Sequence, residues 1–238
     1  MAAVVLAAAF IKGAIGFGFP ALGPPLLSLV VDVKIAVVVL ILPNIVMDGI
    51  QFARRGAPLA TVRRFGVLLL AGALGVVLGT HALVLLSPRA ATLILGAFVL
   101  GFVALQATGL SPKVPAGWEP WLSPLAGFVS GVIGGVTNSP ATPLVLYFHA
   151  IGLSKHDFVS SVAFTFFFYK LVQLGAVRWY GLLPWPLLWL SVALTAVALV
   201  GFAVGLRVQD RLDQRSFNRA VLGFLAVLGV WLLVRNVG

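Results

Sequence analysis

The stretch GVIGGVTNSPATP (131–143) lies in one of the most apolar regions of the chain. Its paired glycines, its Asn138-Ser139 step and its two prolines predict that one helix ends here and another begins. Apolar residues flank the stretch on both sides, as expected of a membrane-buried segment. Non-helical backbone at membrane depth is tolerated only where it is buried in protein or lines a wet cavity. The stretch therefore predicts a binding site within a membrane.

The composition indicates an all-α polytopic membrane protein. The 238 residues are 61% hydrophobic and only 9% charged, whereas a soluble domain carries about 25% charged residues. Several apolar runs approach or exceed the roughly 20 residues that cross a bilayer. No polar stretch is long enough to form a soluble domain. The eight runs fall at about 1–31, 34–53, 66–86, 90–108, 122–150, 158–177, 183–206 and 217–234.

The charges set the topology and exclude several kinds of site. The net charge of +10 comes from basic residues in short loops, which is a positive-inside signal and not a nucleic-acid surface. Cysteine is absent, which excludes disulfides and thiolate metal sites. We expect no metal and no cofactor. The apolar N-terminus has no basic n-region, so we expect no cleaved signal peptide.

An internal repeat links the first and fifth runs. The segment FIKGAIGFGFPALGPPL (10–26) aligns without gaps on FVSGVIGGVTNSPATPL (128–144). We therefore predict two four-segment halves, 1–108 and 122–238, joined by a linker at 109–121. Paired interrupted segments in two halves are the best sequence indication of a transporter's binding site. For Gly127, Gly131 and Gly135 taken alone, close helix packing is the alternative interpretation.

The arginine-rich loops favour re-entrant first and fifth runs. If all eight runs span, the loops 53–65 and 207–219 fall on opposite sides, against the positive-inside bias. If the first and fifth runs are re-entrant hairpins, each half has three spans and the second half is inverted. Both arginine loops then face the cytoplasm. We predict inverted-topology repeats, each opened by a re-entrant helix pair broken by Gly and Pro.

The two breaks should present helix N-termini to an anion. Ser139 is predicted to cap the second half-helix, with Pro140 as its first residue, and Pro20 takes the equivalent place in the first. This leaves the N–H groups of Ala21 and Leu22, and of Ala141 and Thr142, free. In an inverted repeat the two positive dipole ends approach each other near the midplane and favour an anion.

Polar side chains near the breaks complete the predicted site. Lys12 should lie deep in the membrane, and Asn44 follows a proline that frees a backbone carbonyl. A lone membrane Ser or Thr is more often bonded to its own backbone, which is the alternative for Thr165. The predicted substrate-binding residues are Lys12, Gly16, Phe17, Gly18, Ala21, Leu22, Asn44, Gly134, Gly135, Thr137, Asn138, Ser139, Thr142 and Thr165.

Two intramembrane charges, Asp48 and Lys170, are predicted to act in coupling or gating. In the inverted topology, counting 1.5 Å per residue places them roughly 10 Å apart along the membrane normal. Lys170 would then attract the anion to an outer vestibule, and Asp48 would act on the cytoplasmic side. In the eight-span alternative the two could pair, and Asp48 could also be a solvated residue near Arg54 and Arg55.

The motifs GAIGFGFPALGPP (13–25) and GVIGGVTNSPATP (131–143) resemble those of the sulfite exporter TauE/SafE family. This resemblance implies a secondary transporter of the plasma membrane that moves sulfite or small organosulfonates. The partners implied are a small anion, the lipid bilayer and a coupling proton or sodium ion, with no nucleic acid.

Other functions remain open or are disfavoured. A carrier of small carboxylates or other organic anions is the alternative, since helix N-termini and amides accept a carboxylate equally well. We expect no enzyme, because His81, His149 and Asp48 form no recognised catalytic motif. A channel is disfavoured because the chain has no wide, evenly polar pore-lining stripe.

Overall fold

The computed structural model describes residues 1–15, 18–55, 58–108, 113–139, 141–208 and 214–237. These residues form helices and turns, and no strand occurs among them. The all-α prediction is thus confirmed. The eleven α-helices are α1 Ala2–Ile15, α2 Phe19–Leu27, α3 Val33–Val39, α4 Ile41–Arg55, α5 Pro58–Leu85, α6 Pro88–Thr108, α7 Glu119–Thr137, α8 Ala141–Ala150, α9 Lys155–Trp179, α10 Trp185–Val208 and α11 Gln214–Val237.

Five stretches of the described chain are long and apolar enough to cross a membrane: Val33–Ala53, Arg63–Leu85, Pro88–Thr108, Ser160–Trp179 and Trp185–Val208. The first and fifth runs are broken in two, as predicted. The first run contains α1 and α2, and the fifth contains α7 and α8. The chain is therefore a multi-pass membrane protein with two interrupted segments.

The helices group into two compact units. Unit 1 contains 1–43, 86–109 and 182–238, and unit 2 contains 44–85 and 110–181. These units differ from the halves 1–108 and 122–238 that we predicted as repeats. Each unit contains the broken helix pair of one half and two helices of the other: α10 and α11 in unit 1, and α4 and α5 in unit 2. The division into repeats therefore stays a prediction.

In unit 2, glycines let α5 and α7 pack backbone to backbone. A Cβ on Gly131 would lie 2.1 Å from the Gly72 carbonyl oxygen, and a Cβ on Gly127 would lie 2.2 Å from that of Leu68. A Cβ on Gly135 would lie 2.6 Å from the Val76 carbonyl oxygen. Since both helices advance together through these contacts, they run parallel. The packing interpretation of the three α7 glycines is confirmed.

In unit 1, α1 and α10 pack in the same way. A Cβ on Gly205 would lie 2.2 Å from the Phe10 carbonyl oxygen, and a Cβ on Gly75 of unit 2 would lie 2.3 Å from that of Phe128. Phe10 and Phe128 are aligned with each other in the internal repeat. The carbonyl groups of these two aligned residues thus each pack against a glycine: Phe10 against Gly205 of α10 in unit 1, and Phe128 against Gly75 of α5 in unit 2.

A proline-freed carbonyl is present in unit 1, but it already has a partner. Pro43 lies in the first turn of α4 and has no N–H to offer the carbonyl of Val39. The Ser191 hydroxyl of α10 donates to that oxygen at 2.7 Å. The sequence correctly predicted the freed carbonyl, and helix packing satisfies it without a ligand.

Candidate functional site

The second break begins at Asn138, which ends α7 in a left-handed conformation with φ 66°. Its backbone N–H donates to the Gly134 carbonyl at 2.9 Å, which closes the last turn of the helix. Asn is, after glycine, the residue that most readily adopts this conformation at a helix end. The helix resumes at Ala141, and Pro140 lies outside the described residues. The predicted break is confirmed.

A buried lysine of α9 lies against this break. The Lys170 ammonium nitrogen lies 2.5 Å from the Asn138 Oδ1 atom and 2.5 Å from the Gln173 Oε1 atom. The Lys170 residue is only 1% exposed. We predicted that this lysine attracts the anion to an outer vestibule, and that role stays a prediction; in the structure its side chain is buried against the end of α7.

Gln173 connects the lysine to the end of α7. Its side-chain nitrogen donates to the Gly134 and Gly135 carbonyl oxygens, at 3.1 and 3.2 Å. The Gly134 carbonyl also accepts the Asn138 N–H, whereas the last carbonyl groups of a helix lack a partner within it, so Gln173 adds a second donor to Gly134 and supplies one to Gly135. Gln173 is not among the residues predicted from the sequence. The available signal was its position three residues after Lys170, which places both side chains on one face of α9.

Two polar groups beside Lys170 have no partner in the described part of the chain. These are the Asn138 Nδ2 atom and the Ser139 Oγ atom. Both residues are 0% exposed. A buried donor without a partner costs about 1–3 kcal/mol, and such groups are rare in folded proteins. Together with a buried ammonium group, they form a set of donors suited to a small anion.

The Ser139 prediction therefore needs a correction. We expected its hydroxyl to cap α8, which the structure describes from Ala141. The hydroxyl has no hydrogen-bond partner among the described residues. Ser139 therefore does not cap the helix, and its hydroxyl is available to a ligand.

Several other predicted ligands use their polar groups within the fold. The Thr137 hydroxyl donates to the Ile133 carbonyl at 2.7 Å and accepts from the Ser139 N–H at 3.2 Å. The Thr165 hydroxyl donates to the Ser161 carbonyl at 2.7 Å. Gly134 and Gly135 give their carbonyls to Gln173, so all four residues shape the site and none of them offers a free donor.

The first break lies in unit 1, between α1 and α2. Gly18 precedes α2 with φ 110°, a conformation that glycine tolerates and most residues do not. The Ala21 and Leu22 N–H groups both donate to the Gly18 carbonyl, at 3.0 and 2.9 Å. Our expectation that these two N–H groups are free is wrong, because the first turn of α2 uses them. Gly16 and Phe17 lie outside the described residues.

Three further residues predicted to bind substrate are Lys12, Asn44 and Thr142. Lys12 lies one turn before the end of α1 and is 1% exposed, so it is buried in unit 1 as predicted. Asn44 is also buried, at 0% exposure, in unit 2. The Thr142 backbone belongs to the first turn of α8, and its side chain lies outside the described part.

In unit 2, α7 and α8 form a helical hairpin whose two ends lie together. The Val114 N–H, before α7, donates to the Ala150 carbonyl at the end of α8, at 2.8 Å. The Phe148 ring of α8 contacts the Phe65 ring of α5, with centroids 4.9 Å apart. The break at Asn138 is thus the tip of this hairpin.

An ion pair holds α5 and α7 together near the same end. The Arg64 guanidinium donates two hydrogen bonds of 3.0 Å to the Glu119 carboxylate, on the first residue of α7. A bidentate arginine–carboxylate pair has a well-defined geometry. The pair therefore aligns the first residue of α7 with Arg64 of α5.

Asp48 of α4 belongs to unit 2 and is 2% exposed. The Phe52 ring, on the same helix, contacts the Phe164 and Phe167 rings of α9 with centroids 5.2 and 6.4 Å away. A Cβ on Gly49 would lie 3.2 Å from the Phe167 ring. Asp48 therefore lies on a helix packed against the one that carries Lys170, and it is not a solvated residue.

Comparison with known families agrees with these features. The model of the sulfite exporter TauE/SafE family matches residues 1–232, which is almost the whole chain. The comparisons with curated proteins and with solved structures gave no match.

Proposed function

This chain belongs to the sulfite exporter TauE/SafE family, and we propose that it is a secondary transporter of a small sulfur oxyanion, sulfite or an organosulfonate. Membership implies membrane transport of sulfite or related anions and disfavours an enzyme. The proposal adds the site: the anion binds at the tip of the α7–α8 hairpin, beside Lys170. The plasma membrane and the small-anion substrate are part of the same proposal.

One observation carries the choice of site: a buried ammonium group next to unpaired buried donors. The Lys170 nitrogen bonds Asn138 at 2.5 Å, while the Asn138 amide nitrogen and the Ser139 hydroxyl have no partner among the described residues. A sulfite or sulfonate group has three oxygens that accept hydrogen bonds and a negative charge that an ammonium group favours. A bound anion would thus satisfy both donors.

The first turn of α8 supports this choice. The N-terminus of a helix carries about half a positive charge and offers backbone N–H groups to an anion. The helix begins at Ala141, two residues after Ser139. We propose that its first amides, of Ala141 and Thr142, complete the site.

We also propose that the broken pairs are re-entrant and that the halves are inverted repeats. The Val114–Ala150 hydrogen bond between the ends of the hairpin supports re-entry in the second half. The equivalent packing of Phe10 against Gly205 and of Phe128 against Gly75 supports the repeat. Two inverted three-span halves would also put both arginine loops on the cytoplasmic side.

A binding screen of the purified chain tests the proposal. Sulfite, sulfate, sulfoacetate, ethanesulfonate, taurine and acetate are titrated by calorimetry, and we expect at least one sulfur oxyanion to bind more tightly than acetate. Lys170→Met should weaken that binding about 10- to 100-fold, whereas Lys113→Met, at an exposed lysine, should not change it. Acetate binding more tightly than every sulfur anion would favour the carboxylate alternative. Equal affinities in both variants would move the site away from Lys170.

A further inference from the structure

The contact between α4 and α9 fixes the relative level of two buried charges. Along α4, Phe52 contacts both Phe164 and Phe167, and its centroid is nearer to that of Phe164. The earlier residue Gly49 faces Phe167. Earlier residues of α4 thus contact later residues of α9, so the two helices run antiparallel at this contact.

This arrangement brings Asp48 level with Lys170. Asp48 precedes Gly49 by one residue, and Lys170 follows Phe167 by three residues. Because the two helices are antiparallel, both steps go in the same direction along the pair. At 1.5 Å of rise per residue, the two Cα atoms then differ by about 3 Å along the helix axes. This offset is smaller than the roughly 10 Å along the membrane normal that counting along the sequence gives. That count assumed both spans start at matching depths.

Resting on the proposed function, we propose that Asp48 and Lys170 form a buried charge pair that couples binding of the anion to uptake of a proton. Without substrate, the Asp48 carboxylate balances the Lys170 ammonium. When a monoanion binds at the break, the same ammonium faces two negative charges in a medium of low polarity. A proton from water then adds to a carboxylate oxygen of Asp48, and the cluster returns to neutrality.

The remaining ionisable groups on neighbouring elements lie near the helix ends or are phenols. Tyr169 donates its hydroxyl hydrogen to the Leu68 carbonyl, and Tyr147 lies on α8. Near the open end of the hairpin and the start of α9 lie the side chains of Arg63, Arg64, Glu119, His149 and Asp157. His81 and Arg178 lie towards the C-terminal ends of α5 and α9. Among the described side chains of unit 2, Lys170 is thus the cation at the level of Asp48.

The consequence is a direction of coupling. Because the protonated form of Asp48 favours the anion, anion and proton should move together, in symport. The same linkage requires that affinity for the anion rises as the pH falls. If one proton is taken up for each anion, affinity changes about tenfold per pH unit wherever Asp48 is ionised in the empty protein.

Proton uptake by the full-length protein tests this inference directly. Purified protein in weakly buffered detergent solution is titrated with ethanesulfonate, whose own charge is constant near neutral pH, while an indicator dye reports protons. We expect about one proton taken up per anion bound. Asp48→Asn should bind ethanesulfonate without proton uptake and with an affinity independent of pH. Asp32→Asn, the same change at an exposed carboxylate, should behave as the wild type.

The outcomes separate the inference from the proposed function. Anion binding by the wild type without proton uptake overturns the inference and leaves the proposed function intact. Undiminished uptake in Asp48→Asn overturns it as well, because another group would then accept the proton. If that variant does not fold, the wild-type measurement alone decides. Failure of every anion in the screen to bind overturns the proposed function, and the inference with it.

Discussion

The ammonium nitrogen of Lys170 lies 2.5 Å from the amide oxygen of Asn138, the left-handed residue at which α7 ends. The amide oxygen faces the cation, so the amide nitrogen of Asn138 points a donor elsewhere, and this donor is unpaired among the described residues. The lysine thereby orients the asparagine. We propose that this charged residue and this helix break, which are far apart in the sequence, form one anion-binding unit.

Ser139→Ala should stabilise the empty protein and weaken anion binding. The buried Ser139 hydroxyl makes no hydrogen bond within the described chain, so its removal relieves a desolvation cost of about 1–3 kcal/mol. A higher melting temperature without ligand, with a several-fold lower affinity by calorimetry, is the expected result. A fall in melting temperature without ligand would mean that the hydroxyl has a structural partner.

Gln173→Leu should destabilise the hairpin, because it removes the side-chain donor to the Gly134 and Gly135 carbonyls and the acceptor beside the Lys170 ammonium. We expect a loss of about 1–3 kcal/mol of unfolding free energy, measured by thermal or denaturant unfolding in detergent. Gln106→Leu makes the same change at an exposed glutamine of α6 and should have little effect.

Gln173→Glu, like Gln173→Leu, removes the donor to the Gly134 and Gly135 carbonyls, but it also changes the charge of the proposed site. The new carboxylate would keep an acceptor beside the Lys170 ammonium and add a negative charge where the substrate anion is proposed to bind. We expect a folded protein that has lost anion binding by more than tenfold. Binding at the wild-type level would show that Gln173 only holds the helices together.

Single cysteines in this cysteine-free chain test re-entry of the α7–α8 hairpin. Gly117→Cys and Ser154→Cys, just before α7 and just before α9, should both react with a membrane-impermeant thiol reagent from the cytoplasmic side. Pro184→Cys, beyond α9, should react from the opposite side, because α9 is long enough to span. Reaction of the first two positions from opposite sides would contradict the re-entrant hairpin.

The arginine loops test the inverted repeat with the same method. Cysteines at Gly56 and Gln214 should both react from the cytoplasmic side, as the positive-inside bias requires. If the two react from opposite faces, the halves are not inverted with three spans each.

Gly131→Ala should destabilise unit 2 strongly for so small a change. The added Cβ would lie 2.1 Å from the Gly72 carbonyl oxygen, and neither backbone can move without separating α5 from α7. We expect a loss of several kcal/mol, as for other overpacked interiors. Gly175→Ala, in α9 where no atom lies within 4 Å of the new Cβ, should be neutral or stabilise by about 1 kcal/mol through helix propensity. Similar unfolding curves for both variants would contradict the tight packing.

Local chemistry made the helix breaks predictable. Proline is favoured in the first turn of a helix, and glycine and asparagine readily end one, so GAIGFGFPALGPP and GVIGGVTNSPATP could be assigned as breaks from residue types alone. The glycine spacing on α7 likewise indicated close packing, although Gly134 and Gly135 were assigned to the ligand as well. The burial of Lys12 followed from its place beside the first break, whereas the sequence left a solvated position open for Asp48.

The sequence by itself determined a helical membrane protein with two interrupted segments, because apolar length, charge placement and backbone chemistry are local properties. Only the tertiary structure decided which polar groups remain available at the breaks. The Thr137 and Thr165 hydroxyls donate to backbone carbonyls of their own helices, and the Ser191 hydroxyl donates to the Val39 carbonyl. The Ser139 hydroxyl has no hydrogen-bond partner in the described chain. A hydroxyl's partner depends on which helix packs against it, and helical periodicity does not specify the neighbour. The meeting of Lys170 with Asn138 and Gln173 likewise required α9 to lie against the end of α7.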